Sequence, residues 1–298
     1  LIWIIYLVLS VIMGWVFLQP FWAERHYRNG FNDTMRKRYK FAIEDLTLAT
    51  TYAPWEVHYQ AQLGKTYSLY ADHVSDTTQK IELINKALSI FQDIIKFDNN
   101  NPWYYNRIAL LYQKLGLLIP EKKEDYVKQI HFHTKKAMMV DQKNPIFVLN
   151  YAILLHQLGR TDEAIPLYEK VISYDDNIPE PYYNLGEIYI TKQDPNKALT
   201  YYLSLFKKNP NYGKTSLAIA SLYIQSNNPQ EAIPFLEHAQ QTNTINKDSL
   251  VSLAALYYQT KQWSKAAETY KGLLKDPQNN GLRPYYLQSL LNAGQIQE

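Results

Sequence analysis

The sequence predicts an all-α protein built from repeated helix pairs stacked in one direction, and three observations carry that expectation. Residues 179–212 form a 34-residue unit with Tyr182 in fourth place, Leu185 and Gly186 in seventh and eighth, Tyr189 eleventh, Ala198 twentieth, Tyr202 twenty-fourth and Pro210 thirty-second. The same spacing of aromatic, small and proline residues returns along most of the chain, and self-similarity at such a period marks a solenoid. With 26 Tyr, 10 Phe and 6 Trp against only 10 Gly in 298 residues, the chain has ample side-chain volume for a packed helical core and not the composition of disorder.

The unit of residues 179–212 resembles the tetratricopeptide repeat, a helix–turn–helix in which the Gly and Ala of this pattern sit where the paired helices come closest. The expected architecture is a right-handed tetratricopeptide superhelix of about seven helix pairs and a C-terminal capping helix, preceded by one transmembrane helix.

Residues 1–20 come first. The run LIWIIYLVLSVIMGWVFL holds 18 residues without a charge, about 27 Å as a helix and close to the thickness of a bilayer's hydrocarbon. It is read as a membrane span that ends at Gln19-Pro20, with Phe21 and Trp22 as interfacial anchors, so that residues 1–22 make the membrane contact. A secretory signal is the weaker alternative, since the run lacks a basic leading segment and a small-residue cleavage site. The first residue is Leu, so the chain is expected to be the trailing part of a longer one.

Residues 20–40 then carry Arg25, Arg28, Arg36, Lys37, Arg38 and Lys40 against Glu24 and Asp33, which more than accounts for the net charge of +3. A basic flank points to the cytoplasmic side. The expected location is therefore a membrane, the bacterial inner membrane, with the repeats in the cytoplasm. The remainder is electrically balanced, which speaks against nucleic acid as a partner. There is no Cys, hence no disulfide framework and no thiolate metal site.

The repeats are expected near residues 23–56, 57–101, 102–144, 145–178, 179–212, 213–246 and 247–280, with the cap at 281–298. The second carries its contact residue Ala87 eleven positions late. The third carries a nine-residue surplus, most of it in IPEKKEDYVKQ. Pro166 and Pro234 are expected near the first turn of their helices, where a missing donor costs least.

Tetratricopeptide stacks line their groove with the first helix of each repeat. The resemblance therefore nominates Tyr27 and Phe31, Trp103 and Asn106, Ile146, Asn150, Ile153 and His156, Tyr183, Asn184 and Glu187, Leu217 and Ile224, Val251 and Tyr258, and Tyr285 as the partner-binding wall. Asn150 and Asn184 share the sixth position of their repeats and are expected side by side. Such a wall suits a protein or peptide ligand, with self-association as a further mode. Ala61, Ala109 and Glu187 stand where a carboxylate-clamping groove would need basic or amide groups.

His131 and His133 project about 200° apart on a helix and cannot share a metal ion, so both are read as surface residues. No catalytic constellation, cofactor loop or metal set stands out in this chain, which is read as non-catalytic. The order of the apolar run, FWAERHYRNG, YAPWEVHYQAQLGKTYSLYA, a lengthened second repeat and NNNPWYYNRIALLY resembles, over residues 1–112, the C-terminal end of bacterial O-antigen ligase-like polytopic membrane proteins with tetratricopeptide tails. That resemblance implies an envelope glycan ligase or polymerase whose catalytic part lies upstream, with this chain as its protein-binding scaffold. The alternative is a free-standing single-span adaptor of an envelope assembly or secretion complex.

Overall fold

The structure, a computed structural model, describes residues 2–295, and within the first helix it leaves the side chains of residues 2, 4–12, 14 and 16 undescribed. Among the described residues there are fifteen α-helices and no strand. They divide into two compact units, Leu1–Gln157 and Leu158–Glu298.

The N-terminal unit holds α1 (Ile2–Met35), α2 (Tyr39–Tyr52), α3 (Val57–Ala71), α4 (Thr77–Phe97), α5 (Pro102–Leu118), α6 (Lys123–Val140) and α7 (Pro145–Gln157). The C-terminal unit holds α8 (Thr161–Tyr174), α9 (Pro179–Thr191), α10 (Pro195–Lys208), α11 (Thr215–Gln225), α12 (Pro229–Gln241), α13 (Lys247–Gln259), α14 (Trp263–Leu273) and α15 (Arg283–Asn292). Helix starts follow local chemistry. Asp76, Asn101, Asp194 and Asn246 each accept a hydrogen bond from a backbone N–H in the first turn of α4, α5, α10 and α13, and Pro at the first helical position sets the backbone of α5 and α10. Helix ends recur too. Gln193, Asn227 and Lys261, spaced by the repeat period, take a positive φ of 58–60°. The N–H that follows each returns to a carbonyl five residues back, as from Asp194 to Tyr189 at 2.9 Å.

The helices of a pair meet at small residues. Ala42, Ala87, Ala137, Ala198, Ala232 and Ala266 are none of them more than 1% exposed. A Cβ on Gly30 would lie 2.6 Å from Leu46, on Gly64 2.9 Å from Phe91, and on Gly186 2.4 Å from the Tyr202 ring. The buried core is accordingly a row of local clusters, one of which joins α3, α4 and α5 through Ala71, Phe91, Ile108 and Leu115, and another α12, α13 and α14 through Leu236, Leu253 and Tyr270. At the end of the C-terminal unit α15 packs on α14, with Tyr286 on that cluster and Tyr285 stacked on Tyr270 at 6.1 Å.

The surplus of the second expected repeat goes partly into the connection at residues 72–76 and mostly into α4, which reaches 21 residues. In the third it becomes a 3₁₀ turn at Pro120–Lys122 and an 18-residue α6.

Three expectations change. Pro20 does not end a helix: α1 runs through it for 34 residues, so the apolar run and the first helix of repeat one are continuous. Packing against α2, including an edge contact between Trp15 and Tyr52 at 6.4 Å, outweighs the one donor that proline removes. Pro166 and Pro234 lie in the sixth position of α8 and α12, beyond the first turn, and both helices continue past them. His133 is not a surface residue; it is 5% exposed, stacked against Tyr105 and Tyr112.

The span expected at residues 1–20 rests largely on side chains outside the described residues. Among the described residues no helix is long and apolar enough to cross a membrane.

Two measurements test this packing. Gly186→Ala should destabilise the protein by about 1–3 kcal/mol through the Tyr202 clash, whereas Gly272→Ala, whose added methyl meets nothing within 4 Å, should gain up to about 1 kcal/mol of helix propensity. Equal effects in urea unfolding would refute the assigned close approach. Burial without a partner for Nδ1 lowers the His133 pKa from 6.5 to about 4. Above 6.5 both states are neutral at this residue; below it the unfolded chain takes a proton that the folded one refuses. Stability should therefore fall as pH drops from 6.5 toward 4, and His133→Phe should flatten that fall between pH 6.5 and 5. An unchanged pH profile would contradict the burial.

Candidate partner-binding site

Alternate helices of the N-terminal unit, α3, α5 and α7, bring two adjoining pockets together. The first, about 300 Å³, is lined by Asn106, Leu110 and Gln113 of α5, Ile130 and Thr134 of α6, and Asn150, Ile153 and Gln157 of α7. The second, about 200 Å³, lies against Lys65 and Ser68 of α3 and Arg107, Leu110, Gln113, Lys114 and Leu117 of α5, with Phe91 behind it. Leu110 and Gln113 line both, so the two form one trough across these helices.

The carboxamides of the trough are paired by helix geometry. Asn106 and Gln113 stand seven residues apart on α5, as Asn150 and Gln157 do on α7, and seven residues are two turns. Asn150 Nδ2 donates to Asn106 Oδ1 at 3.1 Å. Each of these amides keeps a further polar atom, and the side chains of Gln113 and Gln157 make no hydrogen bond among the described residues, so donors and acceptors remain for a polypeptide backbone.

The nominated wall residues fall into three environments. Asn106, Asn150 and Ile153 line the trough, while Trp103, 46% exposed, sits edge-on to buried Phe147 at 4.8 Å. His156 is half-buried on the same helix as Asn150. Tyr27 is half-buried against Tyr59, with ring centroids 4.7 Å apart, and Phe31 leans on it at 6.2 Å; these rings close the seam between α1 and α3. Asn150 takes Asn106 as its partner rather than standing as a free rung.

In the C-terminal unit the nominated residues are mostly committed to packing. Glu187 accepts the Tyr202 hydroxyl at 2.6 Å, and burial together with that carboxylate pushes the Tyr202 phenol far up. Tyr183 is half-buried between the rings of Tyr202 and Tyr212 at 5.7 and 5.9 Å. Asn184 is half-buried beside it. Tyr258 lies edge-on to Trp263 and Tyr285, at 5.2 and 5.7 Å, and Tyr285 is the exposed member at 49%. Tyr183 and Tyr258 are therefore partners of the helix seam as much as of any ligand. Sequence reasoning missed Gln113, Gln157, Lys65 and Arg107. The 44-residue offset that links residues 106 and 113 to 150 and 157 was a signal, hidden because the third repeat departs from the 34-residue period.

His131 and His133 diverge as their spacing requires: His131 Nε2 lies 3.2 Å from the Tyr151 hydroxyl while His133 points into the core. No group of three or more potential metal ligands is found among the described residues.

Comparison with known proteins bears on the repeats. Models of the tetratricopeptide repeat match residues 154–193, 179–212 and 223–291. No curated protein matches the chain. Among solved structures, a tetratricopeptide repeat protein from Parabacteroides merdae is 12% identical, with 90% of this chain and 98% of that one covered at a TM-score of 0.55. Pseudomonas aeruginosa pilF is 22% identical, covering 74% of this chain and 90% of that one at a TM-score of 0.53. A MamA protein is 18% identical, covering 63% and 92% at a TM-score of 0.50. At these identities the likeness is one of fold. The chain thus carries tetratricopeptide repeats, matched directly over residues 154–212 and 223–291.

Proposed function

We propose that this chain is a membrane-anchored scaffold that holds a partner protein by an extended segment laid across α3, α5 and α7. The observation that carries the reading is the trough itself, in which carboxamides seven residues apart on two alternate helices flank Leu110 and Ile153. Unused amide atoms suit a peptide backbone, and the apolar floor suits its side chains.

The anchor is supported by α1. Trp3, Met13, Trp15, Phe17, Leu18 and Phe21 are 52–86% exposed on one helix, an apolar surface that water would not favour and a bilayer would cover. Arg25 lies over the Trp22 ring at 5.5 Å, at the point where the apolar run gives way to charge. On this reading α1 carries the chain straight from the bilayer into the first repeat, and the basic flank puts the repeats on the cytoplasmic face of a bacterial inner membrane. The order of features over residues 1–112 further supports a place at the end of an O-antigen ligase-like or polymerase-like envelope glycan protein, with this chain as its recruiting tail.

Two experiments test the scaffold and the anchor separately. A photo-cross-linking residue at Leu110, in living cells, should give discrete protein adducts that Asn106→Ala with Asn150→Ala removes. The same probe at Phe132, exposed at 59% on α6, should give none. Equal adducts at both positions would place binding elsewhere. Alkaline carbonate should leave the full chain in the membrane pellet and release the protein lacking residues 1–20; extraction of the full chain would remove the span.

A further inference from the structure

The charges around the trough define what it takes. Lys65 is half-buried on α3 and Arg107 exposed on α5; both line the smaller pocket, and neither has an ion-pair or hydrogen-bond partner among the described residues. Lys114 beside them is neutralised by Asp72 at 2.7 Å and donates to Ser68 Oγ at 3.1 Å. No Asp or Glu lines either pocket. Lys192 and Lys208, by contrast, are each matched with an acid, Asp162 and Asp176, at 2.6 Å. Two uncompensated cations therefore sit at one end of an apolar floor, and the neutral carboxamides occupy the other.

From this arrangement we infer that the trough binds an acidic–apolar peptide segment in extended form. Its Asp or Glu side chains seat at Lys65 and Arg107, an aliphatic side chain enters between Leu110 and Leu117, and its backbone continues over Gln113 toward Asn106 and Asn150. The inference rests on the scaffold reading and adds the chemical class of the partner. Half-burial of Lys65 makes the charge match discriminating, because a desolvated cation facing a basic or neutral segment stays uncompensated. A nucleic acid fits less well: it would present a phosphate at every nucleotide to a trough with two free cations and four uncharged amides.

The test is a selection of random twelve-residue peptides displayed against the full chain in detergent, run in parallel against the double variant Lys65→Glu, Arg107→Glu. Peptides enriched on the native chain should carry Asp or Glu next to Leu-type residues. They should bind the double variant about tenfold or more weakly, while the variant should enrich Lys or Arg in the same positions. Added salt should weaken the native pairs, and Asn150→Ala should weaken both sets alike. Both proteins must show the same helical circular dichroism and melting. Enrichment of peptides with no charge preference, or with the same preference on both proteins, overturns the charge inference and leaves the scaffold reading standing. Enrichment of nothing on either protein overturns both.

Discussion

The close approach of paired helices at Gly and Ala is the constraint on which the other features depend. With Gly186 in place, the Tyr202 ring lies where a Cβ would be, and Tyr202 can then reach Glu187 with its hydroxyl. Gly64 and Phe91 do the same for α3 and α4, and Gly30 and Leu46 for α1 and α2. Each seam fixes the rotation of its first helix, because one face must present the small residue inward. The opposite face of that helix is then set by the 3.6-residue period, and in the N-terminal unit this is how α5 and α7 come to offer Asn106 with Gln113 and Asn150 with Gln157. Packing thus determines the trough before any ligand is considered.

The energetics follow the same division. Side chains such as Tyr168, Tyr202 and Phe147 are almost wholly removed from water, and they hold neighbouring helices in local clusters, as expected of a solenoid whose stability is a sum of nearest-neighbour terms. Most ion pairs are exposed lysine or arginine contacts with carboxylates, such as Arg28 with Glu24, and contribute little each. Lys65 and Arg107 differ from the other cations in lining an apolar-floored trough that no acid lines.

Much of the fold was legible because its cause is local. The Gly, Ala and Tyr spacing of residues 179–212 set the register, and the helices start and stop near where Pro, Asn and Asp mark them. Pro20 was misread because the local rule against proline ignores what α2 contributes by lying along α1. His133 was placed outside because its spacing from His131 was read only as excluding a shared ion; the rings that cover it, Tyr105 and Tyr112, come from another helix. The site was only half legible. Asn106 and Asn150 were nominated, but their pairing crosses an enlarged repeat. Glu187 and Tyr183 were nominated for a ligand and prove to be engaged by Tyr202 and Tyr212.

The central claim is that the seam directs one face of α3, α5 and α7 toward a partner. Hydrogen–deuterium exchange of the full chain, with and without a selected twelve-residue peptide, tests it most directly. The account predicts slowed exchange confined to peptides from α3, α5, α6 and α7, with α2 and α4 unchanged. Protection on α2 and α4, or only within residues 158–298, would contradict it.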